Sequence, residues 1–395
     1  MKLLILSFYY PPDLSAGSFR TAALVEALQA QRPEGLQIDV ITTQPNRYHS
    51  VSDQAAEIED HGGLKIRRLP LPPHRSGALD QARAFTAFLR GALPEVREGE
   101  WDAVFATSSR LMTAALGAEV ARRKGAPLYL DIRDLFADTM SDLLSNSPLK
   151  VLLPVFRWLE ARTFRAADRI NLVSAGFLDH ARAVAPGHDY RVFTNGIDEA
   201  FLTGNFTSEV AAGEAGAPLV LYAGNIGDGQ GLHRILPDIA TRMTDRVRFR
   251  VVGDGGRRRQ LESALGERAL ANIDLQDPVP RSELNRHYRD AGILFLHLND
   301  HAAFRKVLPS KIFEYAATGK PILAGVAGHA ADFLMREAPG VAVFAPCDVD
   351  GMERGLEQLL AGPKRIDRSA FLQTYARRTI MARMAADLID LAENP

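Results

Sequence analysis

The sequence predicts an α/β protein of two domains, each built on a parallel sheet, and three observations carry that prediction. Short apolar runs bounded by turn residues recur along the chain with helical patterns between them, the alternation of parallel strands and crossover helices. The 395 residues exceed what one ordinary core takes up and suit two domains of about 200 residues or fewer. Several runs end in glycine-rich or charged turns, and open parallel sheets carry ligands beyond the carboxyl ends of their strands.

In the first half, residues 3–7 read as a strand, followed by Phe8-Tyr9-Tyr10-Pro11-Pro12 and a loop containing Ala16-Gly17-Ser18. A helix carrying Ala22, Ala23, Val25 and Leu28 follows, then a strand over 38–42. Gly17 either relieves a tight turn or lets the backbone approach a ligand. Residues 62–97 are the most basic region, seven Lys and Arg against two acids, a net +5. The pattern there is helical over 80–93, with Phe85 and Phe88 between Arg83 and Arg90. It suits a membrane-surface helix, or an ordinary helix with its aromatics in the core and its arginines in water.

Strands are predicted over 103–107 and 128–132 with a helix over 112–124 between them. The second ends in Asp131-Ile132-Arg133-Asp134. Charges directly after a buried strand are site candidates, though such neighbours also pair with one another. Residues 149–166 are amphipathic and interrupted by Pro154, and they suit a membrane face or a partner. Strands over 170–174 and 191–194 follow, then the turn Asn195-Gly196-Ile197-Asp198. Residues 204–217 lack an apolar period and read as the linker.

The second half opens with a strand over 219–223 and the turn Gly224-Asn225-Ile226-Gly227-Asp228-Gly229-Gln230-Gly231. A glycine-rich strand-to-helix turn cradles phosphate. The spacing here is not the dinucleotide fingerprint, which speaks against an oxidoreductase. A strand over 247–252 runs into Gly253-Asp254-Gly255-Gly256, and Arg257, Arg258 and Arg259 then read as a solvated helix start.

The apolar run 293–298 precedes the most informative stretch, 304–323. Ser310 is a candidate N-cap, Ile312, Phe313, Ala316 and Ala317 fall at helical spacing, and Gly319 and Pro321 are stop signals. Only eight residues of the chain are lysines, and Lys306, Lys311 and Lys320 lie here beside Arg305. The cluster is either a solvated basic helix start or a set of cations aimed at an anion. Lys311 and Glu314, three apart, share a helix face. They suit a diphosphate and a ribose diol at the helix mouth. Asp348 and Asp350 read as a helix cap, no metal-ligand cluster is evident, and a helix closes the chain over 368–392.

Composition narrows the class. A formal net charge of −1 gives no global attraction to nucleic acid, and 46% hydrophobic with 24% charged residues is a soluble globular balance. One cysteine, Cys347, fits a reducing cytoplasm. The first residues are too short an apolar run for a signal peptide, and no run approaches a membrane span. A soluble or peripheral protein is expected.

On residues 304–323 and 222–231 the sequence resembles glycosyltransferase family 4, retaining two-domain GT-B enzymes that use nucleotide-sugar donors. Leu308-Pro309-Ser310-Lys311-Ile312-Phe313-Glu314-Tyr315 is most similar to bacterial members, such as fucosamine transferases, that add N-acetylated amino sugars to a lipid-linked carrier. The resemblance implies two Rossmann-like, doubly wound domains facing a cleft. They are an acceptor-side domain over 1–203, the linker, a nucleotide-sugar-binding domain over 218–367, and a final helix over 368–395 returning to the first domain.

It also implies roles. Arg305, Lys311 and Asp134 are implied as catalytic. Gly17, Asn225, Gln230, Gly253, Asp254, Lys311 and Glu314 are implied at the donor, Arg20 and Arg133 on the acceptor side, and Pro278-Val279-Pro280 against the base. The chain departs from the family in four places. Lys306 stands where the first of two glutamates is usual, and Ala16 replaces the first of two glycines. Asn225 and Gln230 replace Arg and Lys, and Arg133 replaces the histidine of a His-Asp step.

The implied reaction moves a sugar, with retention, from a UDP-linked donor to a glycan or lipid-linked acceptor in cell-surface polysaccharide synthesis. Neither a cofactor nor a metal is called for. The implied place is the cytoplasm, peripheral on the inner face of the plasma membrane, with an anionic membrane surface as a partner. Two alternatives remain: a nucleotide-sugar epimerase of the same plan, and a catalytically silent nucleotide-sugar-binding protein, which Lys306, Asn225 and Gln230 motivate.

Overall fold

The computed structural model describes residues 1–13, 15–32, 34–45, 55–72, 78–108, 110–143, 148–206 and 216–394. Arg75 of the basic region and residues 207–215 of the expected linker lie outside them. The chain divides into two units: Met1–Asn195 with Arg377–Pro395, and Gly196–Ala376.

The first unit is an eight-stranded sheet of β1 (Lys2–Leu6), β2 (Gln37–Thr43), β3 (Ile58–Asp60), β4 (Leu64–Leu69), β5 (Ala103–Thr107), β6 (Leu128–Ile132), β7 (Arg169–Leu172) and β8 (Asp189–Arg191). Their order is β3-β4-β2-β1-β5-β6-β7-β8, parallel except between β3 and β4. β5 and β6 are buried at every position, as both-faced burial under crossover helices requires. The helices are α1 (Ala16–Gln31), α2 (Ala78–Glu95), α3 (Leu111–Lys124), α4 (Phe136–Leu143), α5 (Leu153–Arg165) and α6 (Leu178–Val184). Pro154 is accommodated in the first turn of α5, after the 3-10 turn Pro148–Leu152.

Three local expectations change. Gly17 sits in the first turn of α1, capped by Ser15 Oγ accepting from Ser18 N at 3.1 Å, so it is helix and not loop. The strand expected over 191–194 is Asp189–Arg191, and the Phe193 amide beyond it donates to the Asn171 side chain at 2.7 Å. In α2, Phe85 and Phe88 belong to the core, Phe88 with its ring 5.4 Å from Phe8. Arg68 is buried against Glu59, and Arg67 pairs with Glu95 at 3.1 Å. The aromatics of the basic region therefore offer nothing to a membrane, and its exposed basic residues are Lys65, Arg83, Arg90 and Arg97.

The second unit carries β9 (Leu219–Ala223), β10 (Arg248–Val252), β11 (Ile273–Gln276), β12 (Ile293–His297), β13 (Ile322–Gly325) and β14 (Val341–Phe344), all parallel, in the order β11-β10-β9-β12-β13-β14. Its helices are α7 (Glu199–Leu202), α8 (Leu232–Arg242), α9 (Arg258–Gly266), α10 (Arg281–Asp290), α11 (Lys311–Ala317), α12 (His329–Glu337), α13 (Val349–Ala361) and α14 (Ser369–Tyr375). Residues 196–203, placed in the first domain from sequence, group with this unit, where Phe201 packs 5.6 Å from Tyr288.

The closing helix expected over 368–392 is two helices. Ala376 leaves helical geometry (φ −56, ψ 126) to bridge Ile197. α14 therefore stays with the second unit while Arg377–Glu393 joins the first. Asp387 anchors that last helix to the sheet edge. It accepts from the Tyr129 hydroxyl at 2.9 Å, Arg169 Nη1 at 2.9 Å and Arg191 Nε at 3.0 Å.

The first unit is centred on a buried ion pair. Arg20 Nε and Nη2 donate to the two Asp131 carboxylate oxygens at 2.9 Å each, both side chains being 2% exposed. Asn171 adds a further bond to Asp131 at 2.7 Å. Burial alone would raise the Asp131 pKa; the guanidinium outweighs it and holds the carboxyl below its usual range. Arg20→Met should cost about 3–5 kcal/mol by leaving a buried carboxylate unpaired. Adding Asp131→Asn should recover much of that loss. Urea unfolding of the two variants checks this, and equal loss in both would show that the ion pair is not what matters.

Candidate functional site

The second sheet reverses direction between β9 and β12, because β10 and β11 extend it one way and β13 and β14 the other. Ligands of open α/β sheets collect at such a switch point, beyond the strands' carboxyl ends. The turn after β9 carries Gly224 at φ 141 and Gly231 at φ 59, with the 3-10 turn Asp228–Gln230 between them.

It lies directly on the turn after β10. Gly224 N donates to Val252 O and Ile226 N to Asp254 O, each at 2.8 Å. A Cβ on Gly253 (φ 154) would sit 1.8 Å from Gly224 O. The two strand ends meet backbone to backbone, which only glycine permits. Asp254 turns inward on its own loop, accepting from Gly255 N at 2.7 Å.

Lys311 lies over this junction. Its Nζ donates to Ala223 O and stands 5.2 Å from the Tyr222 ring centroid. A Cβ on Gly224 would fall 1.8 Å from that Nζ. Burial pushes the Lys311 pKa down, and Glu314 pulls it back up. Tyr315, one turn along α11, accepts from Ala223 N at 3.4 Å. One helix thus serves both polar groups of the last residue of β9.

The helix end itself does less than expected. α11 has seven residues, and Ser310 makes no side-chain cap bond. Ile312 N and Phe313 N donate to Pro309 O and Ser310 O at 3.1 Å each. Those amides are spent in tight turns, so the cation at this end is the Lys311 side chain and not the helix dipole. Arg305 lies in the 3-10 turn Ala302–Lys306, 60% exposed and 3.5 Å from Asp300. That turn packs on the β9 turn, where a Cβ on Gly229 would stand 3.0 Å from the Phe304 ring.

Asn225 and Gln230, expected against the donor, bond to each other. Asn225 Nδ2 donates to Gln230 Oε1 at 2.7 Å, and Gly227 N reaches the same oxygen at 3.3 Å. They stiffen the turn. Sequence reasoning passed over its supports at and just beyond the end of β12. Asn299 N donates to Gly229 O and its Nδ2 to Asp228 O, each at 2.9 Å, while its Oδ1 accepts from Arg234 at 2.7 Å. His297 bonds Gln230 O through Nδ1 at 2.6 Å and the Cys347 amide through Nε2 at 2.9 Å. A carbonyl only accepts and an amide only donates, so this ring is neutral with its proton on Nδ1. Burial pushes its pKa down to about 4. The available signal was polar residues closing an otherwise apolar strand.

In the first unit, Arg20 does not reach toward an acceptor. Besides Asp131 it donates to Phe193 O at 2.8 Å and Thr194 O at 2.6 Å, and it is buried. Its guanidinium is consumed by the fold. Arg133 follows β6 with its amide on Ser108 Oγ at 2.9 Å. Burial lowers its pKa to about 10 against the pull of Asp131, and its Nη1 is buried without a hydrogen-bond partner. Asp134 beside it is exposed, and Gly17 is buried in α1. Asp348 caps α13, accepting from Gly351 N at 2.9 Å. Among the described residues no group of three or more His, Cys, Asp or Glu could hold a metal. A 370 Å³ cavity lined by Gly319, Arg365, Ile366 and Arg368 lies at the carboxyl end of α11, the end away from Lys311.

Two family models match the chain, the glycosyl transferase 4-like domain over residues 17–196 and glycosyl transferases group 1 over residues 207–378. The chain is 26% identical over 404 residues, 96% of each protein, to WcaI of Escherichia coli (strain K12), assigned to colanic acid biosynthesis as a glycosyl transferase. Among solved structures it resembles sucrose-phosphate synthase of Thermosynechococcus elongatus (TM-score 0.77, 15% identity, 100% of this chain and 99% of that one). It also resembles Anabaena Alr3699/HepE in complex with UDP-glucose (TM-score 0.62, 15% identity, 100% and 97%). The chain belongs to glycosyltransferase family 4 and has the GT-B fold.

The His297 clamp makes a pH prediction. With a folded pKa near 4 against about 6.5 unfolded, the unfolded chain binds the extra proton between those values. Stability is therefore complete above about pH 6.5 and falls as pH drops toward 4, by about 3 kcal/mol in all. The stability difference between wild type and His297→Gln should shrink by that amount from pH 7 to pH 4 in scanning calorimetry. A pH-independent difference would mean that the ring is not the titrating group.

Proposed function

We propose that this glycosyltransferase moves a sugar, with retention of configuration, from a UDP-linked donor to a glycan or lipid-linked acceptor in cell-surface polysaccharide synthesis. The observation that carries the proposal is Lys311, a desolvated ammonium on the Gly224–Gly253 junction at the switch point of the second sheet. An ammonium bonded to a carbonyl and pushed down in pKa gains more from a diphosphate than a hydrated surface lysine would. The similarity to WcaI supports the place in polysaccharide synthesis, and the UDP-glucose bound to HepE supports the donor class. An N-acetylated amino sugar is the group proposed for transfer, on the wording of residues 308–315.

In this reading Lys311 and Arg305 take up the negative charge as the nucleotide diphosphate leaves, where preorganised donors matter most. The acceptor hydroxyl attacks the face the diphosphate vacates, and its proton passes to the departing phosphate. Cationic side chains supply the neutralisation, so the reaction should run in EDTA. Glu314 accepts from the ribose hydroxyls, while Gly253 and Asp254 shape the floor on which the nucleotide rests. Asn225 and Gln230 act by holding the turn. Asp134 is the third group proposed to take part in catalysis, and Arg133 is proposed to face the acceptor. A nucleotide-sugar binder without transfer is the second reading, favoured by the mutual bond of Asn225 and Gln230 and by Lys306; donor hydrolysis with water excludes it.

Lys311→Ala should weaken a nucleoside diphosphate by about 1.5–3 kcal/mol, the worth of a hydrogen bond to a charged group, and leave the bare nucleoside nearly unchanged. Isothermal titration with both ligands decides, and equal losses would remove Lys311 from the phosphate site. Glu314→Gln should lose a comparable amount with the natural donor and little with its 2′,3′-dideoxy analogue. A matching loss with the analogue would make Glu314 structural.

A further inference from the structure

No helix among the described residues is long and apolar enough to cross a membrane, yet one face of the first unit is built unlike the rest of its surface. Of the nine large hydrophobic side chains exposed among the described residues, four lie within eight positions: Val151 at 73%, Leu152 at 42%, Val155 at 55% and Trp158 at 61%. The others are scattered singly, which needs no explanation. Val155, Trp158 and Arg162 fall at i, i+3 and i+7 on α5, and so share its outer face. The opposite face holds the buried Glu160, Thr163 and Phe164.

The charges of this segment are sorted as strictly as its apolar groups. Its exposed charged side chains are Lys150, Arg157, Arg162 and Arg165. Its one acid, Glu160, is buried and bonded to His180 Nε2 at 3.1 Å. Asp138 of the neighbouring α4 lies 3.6 Å from His180 Nδ1, so Asp138 and Glu160 both lie against this histidine. Arg162 stands 5.8 Å from the Trp158 ring, keeping the cation beside the indole.

We propose that this face, from Lys150 to Arg165, docks the protein on an anionic lipid surface. Trp158, Val151, Leu152 and Val155 enter the headgroup boundary, and Lys150 and Arg162 meet the phosphates beside them, while Arg157 leans to Ser141 at 3.5 Å and Arg165 donates to Val184 O at 3.0 Å. A helix whose apolar face is bordered by cations lies in the interface plane, and an indole has an apolar body with one polar edge suited to that depth. A protein partner would need acidic residues in a matching ring. A bilayer needs only negative headgroups, each basic residue adding attraction near the surface. The proposal stands on this surface alone and does not depend on the transfer reading.

The chain has two tryptophans, and Trp101 is buried with its Nε1 donating to Asp39 at 2.8 Å. Emission changes on adding vesicles therefore report Trp158. The full-length protein is mixed with vesicles of phosphatidylcholine alone, and of phosphatidylcholine with phosphatidylglycerol. The mixed vesicles should shift the emission to shorter wavelength and sediment the protein, with roughly tenfold or greater preference over the neutral ones, lost at high salt. Val155→Ser with Trp158→Ser should lose sedimentation, and Lys150→Gln with Arg162→Gln should lose the anionic preference. Thermal unfolding of each variant confirms that it folds.

Equal partition of wild type onto both vesicles, or none onto either, overturns the proposal. So does an emission shift that needs only higher protein concentration and accompanies dimerisation, since the face would then be an interface between copies of this chain. Because no donor or acceptor is present, failure here leaves the assignment of Lys311 untouched, and failure of that assignment leaves this test standing.

Discussion

The β9–β12 ladder is registered at Val220–Ile293 and Leu221–Leu294, while β9 continues to Ala223 on its β10 side. This divergence at the switch point is the constraint from which the site follows. Beyond Leu221 the backbone of β9 needs partners that a strand does not supply there, and unmet buried polar groups are expensive. Two side chains of α11 supply them, Tyr315 Oη to the Ala223 amide and Lys311 Nζ to its carbonyl. A lysine recruited to finish a sheet is thereby placed at the mouth of that sheet. The glycines follow from the same demand, because a side chain on Gly224 would displace the ammonium and one on Gly253 would part the strand ends.

The two units treat a buried cation in opposite ways, and the contrast separates structure from site. Arg20 has a full carboxylate and two carbonyls around a rigid guanidinium, an arrangement that satisfies its donors and leaves nothing for a ligand. Lys311 has a carbonyl and a ring face, weaker compensation for a desolvated charge. Both are basic residues near the carboxyl end of a central strand. Only the second is left with its charge incompletely compensated.

That distinction marks how far the sequence could be read. Alternating apolar runs disclosed most strands and the parallel class, and glycine punctuation located the turns after β9 and β10. The short helix that carries Lys311 and Glu314 was legible from its apolar spacing. Arg20 was misplaced because its partners, Asp131 and the Phe193 and Thr194 carbonyls, are over a hundred positions away in the chain, beyond any local pattern. His297 went unread because a histidine inside an apolar run carries no periodic signal. Its role exists only once Gln230 and Cys347 are folded onto it. The break at Ala376 was hidden for a similar reason: no Pro or Gly marks it, and a bridge to Ile197 imposes it.

Segments 80–93 and 149–166 had similar sequence credentials for a surface role, each with aromatics interleaved among arginines. Tertiary structure separates them. In α2, Phe85 and Phe88 close over Phe8 and the sheet. Burying a phenylalanine is worth about 1.5–3 kcal/mol, so withdrawing two of them to meet a bilayer would cost more than the adjoining arginines return. In α5 the core takes Phe164 and Thr163 while Trp158 stays outside with Val155. The cost of exposing those side chains is already part of the folded state, and covering them recovers it. The same local pattern therefore means core in one helix and an exposed apolar face in the other, and the tertiary packing of each decides which.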